Sequence, residues 1–113
     1  MYDLREHKEL ISQLVSEANQ NDENWRWSVK SVGKTKARIF WSYLEYCGQP
    51  EPYFVIELED TGDGYWIHAL DERDSYIESE IVVDNDLPFL NCPIDKAIEK
   101  MVRCIINTAH ACY

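Results

Sequence analysis

The sequence has little positive charge, and the shortage is concentrated in its middle. The chain has 113 residues, with 11 Lys and Arg against 21 Asp and Glu, and a formal net charge of −10. Residues 51–90 hold one base, Arg73, among twelve acids, whereas residues 1–50 are neutral. Because a polyanion would be repelled by this charge, we expect no direct binding of DNA, RNA or an anionic membrane.

Long apolar runs are also missing. No stretch approaches the roughly 20 apolar residues that a membrane-spanning helix requires, and the charged residues 1–8 do not resemble a secretory signal peptide. We therefore expect a soluble, cytoplasmic protein, in which the four cysteines are reduced thiols. Cys104 and Cys112 would lie about 12 Å apart on one helix, too far for a disulfide, whereas Cys47 and Cys92 could in principle meet.

Motifs for catalysis and cofactor binding are missing as well. There is no C-x-x-C or H-x-x-x-H spacing for a metal, and the acidic turns near Asp60 and Asp84 lack the alternating ligands of a calcium loop. The chain has only four glycines, and it contains neither a glycine-rich phosphate loop nor a nucleophile elbow. The sequence therefore predicts no enzyme activity, no catalytic or metal site and no cofactor.

The residues that are present predict one domain, residues 1–113, with an apolar core. Hydrophobic residues make up 45% of the chain and aromatic residues 12%, which is typical of a globular fold. Asp3 and Glu6 form a capping-box pattern before an apolar stripe from Leu4 to Ala18. Pro93 suits the first position of a second helix, whose stripe runs from Ile94 to Ala109.

Strand patterns fill the region between the two helices. Trp25, Trp27 and Val29 alternate with polar residues, and short turns separate the later apolar segments. The predicted strands are 25–30, 37–46, 53–59, 65–70 and, less regularly, 76–83, where Ile77, Ile81 and Val83 would share a face. Because the links are short, we expect an antiparallel sheet of four to five strands. Both helices would cover one face, giving a two-layer α+β sandwich of order α-β-β-β-β-(β)-α.

The acidic segment supplies the candidate binding residues. On a strand, Glu57 and Glu59 would form one row of carboxylates and Glu78 and Glu80 another, because residues two apart point the same way. Turn acids and nearby aromatic anchors complete the candidate partner-binding set. Its members are Glu57, Glu59, Asp60, Asp63, Asp71, Glu72, Asp74, Glu78, Glu80, Tyr53, Tyr65, Trp66 and Tyr76.

A basic first hairpin suggests a different function. Arg26, Lys30 and Lys36 lie among aromatic residues, and rings on a basic sheet can stack single-stranded bases. The alternation of Trp25 and Trp27 with Arg26, however, places rings and charges on opposite faces. It favours tryptophans in the core and bases in solvent.

A protein-binding function is therefore the leading hypothesis, with a basic protein surface as the partner and no direct nucleic acid. In size and charge the chain resembles small acidic inhibitors of phages and mobile elements, including anti-CRISPR proteins and DNA mimics, and also immunity proteins of bacterial toxins. This resemblance implies an inhibitor that occupies the basic cleft of a nuclease or another nucleic-acid-binding protein. The alternatives are a single-stranded nucleic-acid binder and a structural or adaptor subunit, and the protein would be a monomer or a homodimer.

Overall fold

The computed structural model describes residues 2–21, 25–43, 53–62, 64–82 and 93–112, with the backbone alone at positions 42, 43 and 112. A 3₁₀ turn leads into the first of two helices, and five strands lie between the helices. The elements are the 3₁₀ turn Leu4–His7, α1 (Lys8–Gln20), β1 (Trp25–Val32), β2 (Lys36–Tyr43), β3 (Tyr53–Asp60), β4 (Tyr65–Leu70), β5 (Tyr76–Val82) and α2 (Ile94–Cys112).

The five strands form one antiparallel sheet in the order β1-β2-β3-β4-β5, so each strand pairs with its neighbours in sequence. The helices pack against the same face of the sheet, α1 mainly on β1 and α2 on β3, β4 and β5. The predicted two-layer α+β arrangement is therefore confirmed, and so is the fifth strand. Within the described residues, neither helix is both long and apolar enough to cross a membrane.

The core lies between the helices and this face of the sheet. Alternate residues of each strand contribute to it, as the two-residue period of a strand requires. The largest fully buried side chains include Ile39, Ile56 and Ile67 from the sheet and Ile98 and Met101 from α2. The predicted apolar stripe of α2 is confirmed, because its residues from Ile98 to Ala109 at this spacing are buried.

The first helix begins differently from the predicted capping box. Asp3 is the cap, but its carboxylate accepts from the backbone N–H of Arg5 at 2.9 Å and pairs with the Arg5 guanidinium at 2.6 Å. Glu6 donates its backbone N–H to the Asp3 carbonyl instead. Hydrogen bonding to Arg5 lowers the pKa of Asp3 from 3.8 to about 2.

The predicted facing of β5 was wrong in one respect. Ile81 pairs with Trp66 on the face away from the helices and is exposed, whereas Val82 is buried against the core. The register shifts between Ala69 and Leu70, so that Ile77 has no cross-strand partner. Such a bulge adds one residue to a strand and reverses its alternation, which a strict two-residue pattern does not anticipate. Val83 lies outside the described residues.

Candidate functional site

The helix-free face of the sheet carries five of the candidate residues, which are Glu57, Glu59, Tyr53, Trp66 and Tyr76. Cross-strand partners share a face, and three rows of partners run from β2 or β3 to β5. We call this surface the open face. Its rows are Arg38–Val55–Leu70–Tyr76, Lys36–Glu57–His68–Ser79 and Glu59–Trp66–Ile81.

Exposed apolar side chains are concentrated on one side of the open face. Among the described residues, the large hydrophobic side chains that are exposed are Trp66 (36%), Tyr76 (59%) and Ile81 (46%). All three belong to β4 and β5, and Trp66 and Ile81 are direct cross-strand partners. Val55 and Leu70 lie nearly buried beside them. An apolar cluster of this kind, rimmed by polar residues, is typical of a protein-binding surface.

His68 holds the centre of this cluster in place. Its Nδ1 lies 2.6 Å from the Ser79 hydroxyl, and its Nε2 lies 3.3 Å from a carboxylate oxygen of Glu59. The ring is parallel to that of Trp66 and contacts that of Tyr76, with centroids 6.1 and 4.6 Å away. His68 is 7% exposed, so this nearly buried residue supports the two exposed rings beside it.

Ser79, His68 and Glu59, which these two contacts connect, are also the residue types of a hydrolytic triad. A triad would additionally need donors for the developing oxyanion beside the serine. The backbone N–H of Ser79 donates to the Glu78 carboxylate at 3.1 Å, so this donor is already occupied.

The charges of the open face are divided between its two sides. Glu57 and Glu59 lie on β3, and their carboxylates contact Lys36 at 3.7 Å and His68 at 3.3 Å. Arg26 and Arg38 are exposed on the hairpin of β1 and β2. The open face is therefore basic towards β1, has its two acids on the central strand β3, and carries the aromatic anchors on β4 and β5.

The second carboxylate row lies on the other side of the sheet. Glu78 and Glu80 pair with Ala69 and Ile67, which point towards the helices. Glu80 forms an ion pair with Lys100 of α2 at 2.6 Å. Each row shares one face as predicted, but the two rows do not converge on one surface.

The turn acids are separated along the strands. Asp60 lies at the β3–β4 turn, and the loop of Asp71, Glu72 and Asp74 lies at the opposite end of β4, a strand length of about 20 Å away. Asp71 has a structural role, because its carboxylate accepts from two backbone N–H groups of its own loop. Glu72 and Asp74 are exposed, and Asp63 lies outside the described residues.

The remaining aromatic candidates occupy different faces. Tyr53 is on the open face, where its ring contacts Phe40 with centroids 5.4 Å apart. Tyr65 points towards the helices, and its ring meets Tyr2 edge-on at 4.9 Å. Tyr53 is therefore placed to contact a partner of the open face, whereas Tyr65 packs against the core.

The first hairpin separates tryptophans from charges as its alternation predicted. Trp27 and Trp41 are cross-strand partners on the helix side and are each 3% exposed. Arg26 lies on the open face, as do the cross-strand partners Ser28 and Phe40. Basic residues and tryptophan rings therefore do not form a shared stacking platform.

Asn19 of α1 covers the free edge of β1, a contact that the sequence pattern did not indicate. Its side-chain amide donates to the Trp27 carbonyl and accepts from the Trp27 N–H, both at 2.7 Å. These two bonds imitate those of a neighbouring strand. The β1 edge is thus closed at its centre.

No metal site is evident in the described ranges, since no three of their His, Cys, Asp and Glu residues cluster closely enough to hold an ion. Cys104 is a free thiol, whereas Cys47 and Cys92 lie outside the described residues. Comparison of the chain with protein-family models, curated proteins and solved structures finds no match.

Proposed function

We propose that this chain is a small inhibitor or interaction protein that binds a basic protein surface through the β3–β5 part of its open face. The observation that carries this proposal is the cluster of Trp66, Tyr76 and Ile81, exposed on the same face as Glu57 and Glu59. A small number of residues, often aromatic, supply most of the binding energy at a protein interface. Carboxylates beside them select a partner of opposite charge and raise its association rate.

The partner class that fits best is a protein with a basic cleft, such as a nuclease or another nucleic-acid-binding protein. The acidic segment gives a directional negative field, and a positively lined cleft is its complement. A bacterial toxin bound by an immunity protein would present the same chemistry. The turn acids would act at longer range, because they lie at the two ends of the strands.

The test is a comparison of two variants with equal charge change. E57K/E59K alters the open face, whereas E72K/D74K alters the exposed β4–β5 loop. Both would be used as baits in the native cell extract, together with W66A/Y76A and the unaltered chain, and each captured protein would be purified for titration at two salt concentrations. We expect E57K/E59K and W66A/Y76A to lose the partner and E72K/D74K to keep it with slower association.

Two outcomes would contradict the proposal. One is a partner that binds E57K/E59K and W66A/Y76A with unchanged affinity and salt dependence, while circular dichroism shows all variants folded. The other is a partner whose contact maps elsewhere on the chain and whose activity the chain leaves unchanged.

A second candidate function is binding of single-stranded nucleic acid by the basic side of the open face. The observation in its favour is the ring pair of Phe40 and Tyr53 on the same face as Arg26 and Arg38. Fluorescence polarisation of a labelled oligonucleotide at low salt tests it. Binding that is lost in R26E/K30E/K36E would favour this function over the inhibitor.

A further inference from the structure

The two edges of the sheet differ in how their outward backbone groups are satisfied. At β1, the Asn19 amide pairs with both groups of Trp27. At β5, the outward backbone groups are those of the residues that do not form hydrogen bonds to β4, and the alternation of bonded pairs along the strands identifies them. Thr61 donates to the Gly64 carbonyl in the β3–β4 turn, and hydrogen-bonded and non-bonded pairs alternate from there.

This alternation turns the backbone of Ser79 and Ile81 away from β4. The Ser79 N–H agrees with it, because its partner is the Glu78 carboxylate at 3.1 Å and not a strand. Beyond the bulge, the Ile77 carbonyl lies 3.9 Å from the Cys104 thiol of α2. Among the described residues nothing bonds to the outward N–H and C=O of Ile81, so this edge can accept a further strand.

The side chains of β5 specify what kind of strand would fit. Glu78 and Glu80 project towards the helix side, whereas Ser79 and Ile81 project onto the open face. An added strand would place its residues opposite these in the same alternation. The added strand that fits β5 therefore has Lys or Arg on the helix side, opposite the two glutamates, and apolar residues on the open face.

A second copy of this chain fits poorly. Antiparallel pairing of two β5 strands about Ser79 would set Glu78 opposite Glu80 of the other copy, and the reverse. Like charges directly opposite destabilise a strand pair. Charge complementarity thus favours a basic partner strand over self-association.

We infer that β5 binds an extended segment of alternating basic and apolar residues from the partner protein by strand addition. This inference rests on the proposed function and specifies how the partner is held. Backbone hydrogen bonds to β5 give affinity, and the two side-chain rows give register. Apolar residues of the added strand extend the Trp66–Ile81 row, and its cations contact Glu78 and Glu80.

Glu78 acts as an exchangeable cap in this arrangement. Without a partner, its carboxylate occupies the Ser79 N–H and protects the edge from non-specific pairing. A partner carbonyl replaces it, and the released carboxylate then binds the partner's cation. Glu80 similarly shares its charge between Lys100 and the partner.

Synthetic peptides test strand addition on the full chain. The probe is an octapeptide of alternating Lys and Val. Its controls are the same residues in block order, and the alternating peptide N-methylated at the residues that face β5. We expect the alternating peptide to slow hydrogen exchange at Ser79 and Ile81, and each control to bind roughly tenfold more weakly or worse, as loss of one or more backbone hydrogen bonds requires.

Two variants of one residue provide the matched protein control. S79P removes the outward N–H without removing a bond to β4, and an edge strand tolerates proline there. S79A removes only the hydroxyl. We expect S79P to lose the alternating peptide and S79A to keep it. If S79P does not fold, the N-methylated peptide decides the question on the unaltered chain.

Equal affinity for the three peptides, or exchange slowed equally by the block peptide, would overturn strand addition. The proposed function fails separately, because its test uses E57K/E59K and W66A/Y76A against the natural partner. A partner lost by those variants, together with equal peptide affinities, would keep the open face as the docking surface and reject β5 pairing.

Discussion

Replacing Asn19 with alanine should destabilise the protein, because one side chain satisfies both outward backbone groups of Trp27. Each of these hydrogen bonds is worth about 1 kcal/mol net, and a group left unsatisfied at a partly buried site costs somewhat more. Alanine is a better helix former than asparagine by about 0.6 kcal/mol. The expected net loss in the free energy of unfolding is therefore about 2 kcal/mol.

Urea denaturation followed by tryptophan fluorescence measures this loss, and amide hydrogen exchange locates it. We expect a lower midpoint with an unchanged slope, and faster exchange at the Trp27 amide. Q13A is the matched control, because Gln13 is exposed on the same helix and makes one long contact, 3.4 Å, with Glu17. It should leave stability within about 0.5 kcal/mol.

A second substitution separates the two hydrogen bonds. Asn19→Asp keeps the acceptor for the Trp27 N–H but cannot donate to the Trp27 carbonyl. It should retain slow exchange at the Trp27 amide while still losing stability. The reasoning would be refuted if N19A changed stability no more than Q13A, or if the Trp27 amide remained equally protected in N19A.

Three further predictions concern β5, its ion pair and the amino-terminal cap. I81A should change the free energy of unfolding by less than about 0.5 kcal/mol, whereas V82A should lower it by about 2 kcal/mol. Urea denaturation of the two variants checks the register of β5, and equal losses of stability would reject that register. The Glu80–Lys100 pair should contribute about 0.5 kcal/mol in a double-mutant cycle with E80Q and K100Q, decreasing with salt, and a coupling that is independent of salt would contradict a surface pair. The pKa of Asp3, about 2 beside Arg5, should rise towards 3.8 in R5A. Because the folded-state pKa is lowered, the stabilisation by this pair is present above pH 3.8 and is lost as pH falls towards 2. NMR titration of the Asp3 carboxyl measures it, and an identical titration in R5A would argue against the Arg5 hydrogen bonds as the cause of the lowered pKa.

Local patterns predicted the architecture well, because each element carries its own periodicity. The alternation Phe54, Ile56, Leu58 sets the buried side of β3, and it assigned Glu57 and Glu59 to the open face correctly. The spacing of the α2 stripe worked for the same reason. Short turns then left an antiparallel meander as the natural topology.

The site was predicted only in part, since it depends on contacts between elements. Glu57, Glu59, Trp66 and Tyr76 were identified from charge and aromatic character. His68 was not, because a lone histidine in an apolar strand has no local signal for its bonds to Glu59 and Ser79. Asn19 was not identified either, because its role on β1 depends on how α1 packs.

The bulge at Ile77 changes what the acidic segment can do. If β5 followed a strict alternation in which Ile77 and Ile81 shared the core face, Glu78 and Glu80 would point the other way and join Glu57 and Glu59 on the open face. The observed register instead sends them to the helix side, where Glu80 contacts Lys100. A continuous ladder of charge on one face, as a phosphate backbone would present, is therefore not formed. The first row lies on the central strand β3 of the open face and the second on the helix side of the edge strand β5. A basic surface docked on the open face therefore contacts the first row, and a strand paired with β5 reaches the second.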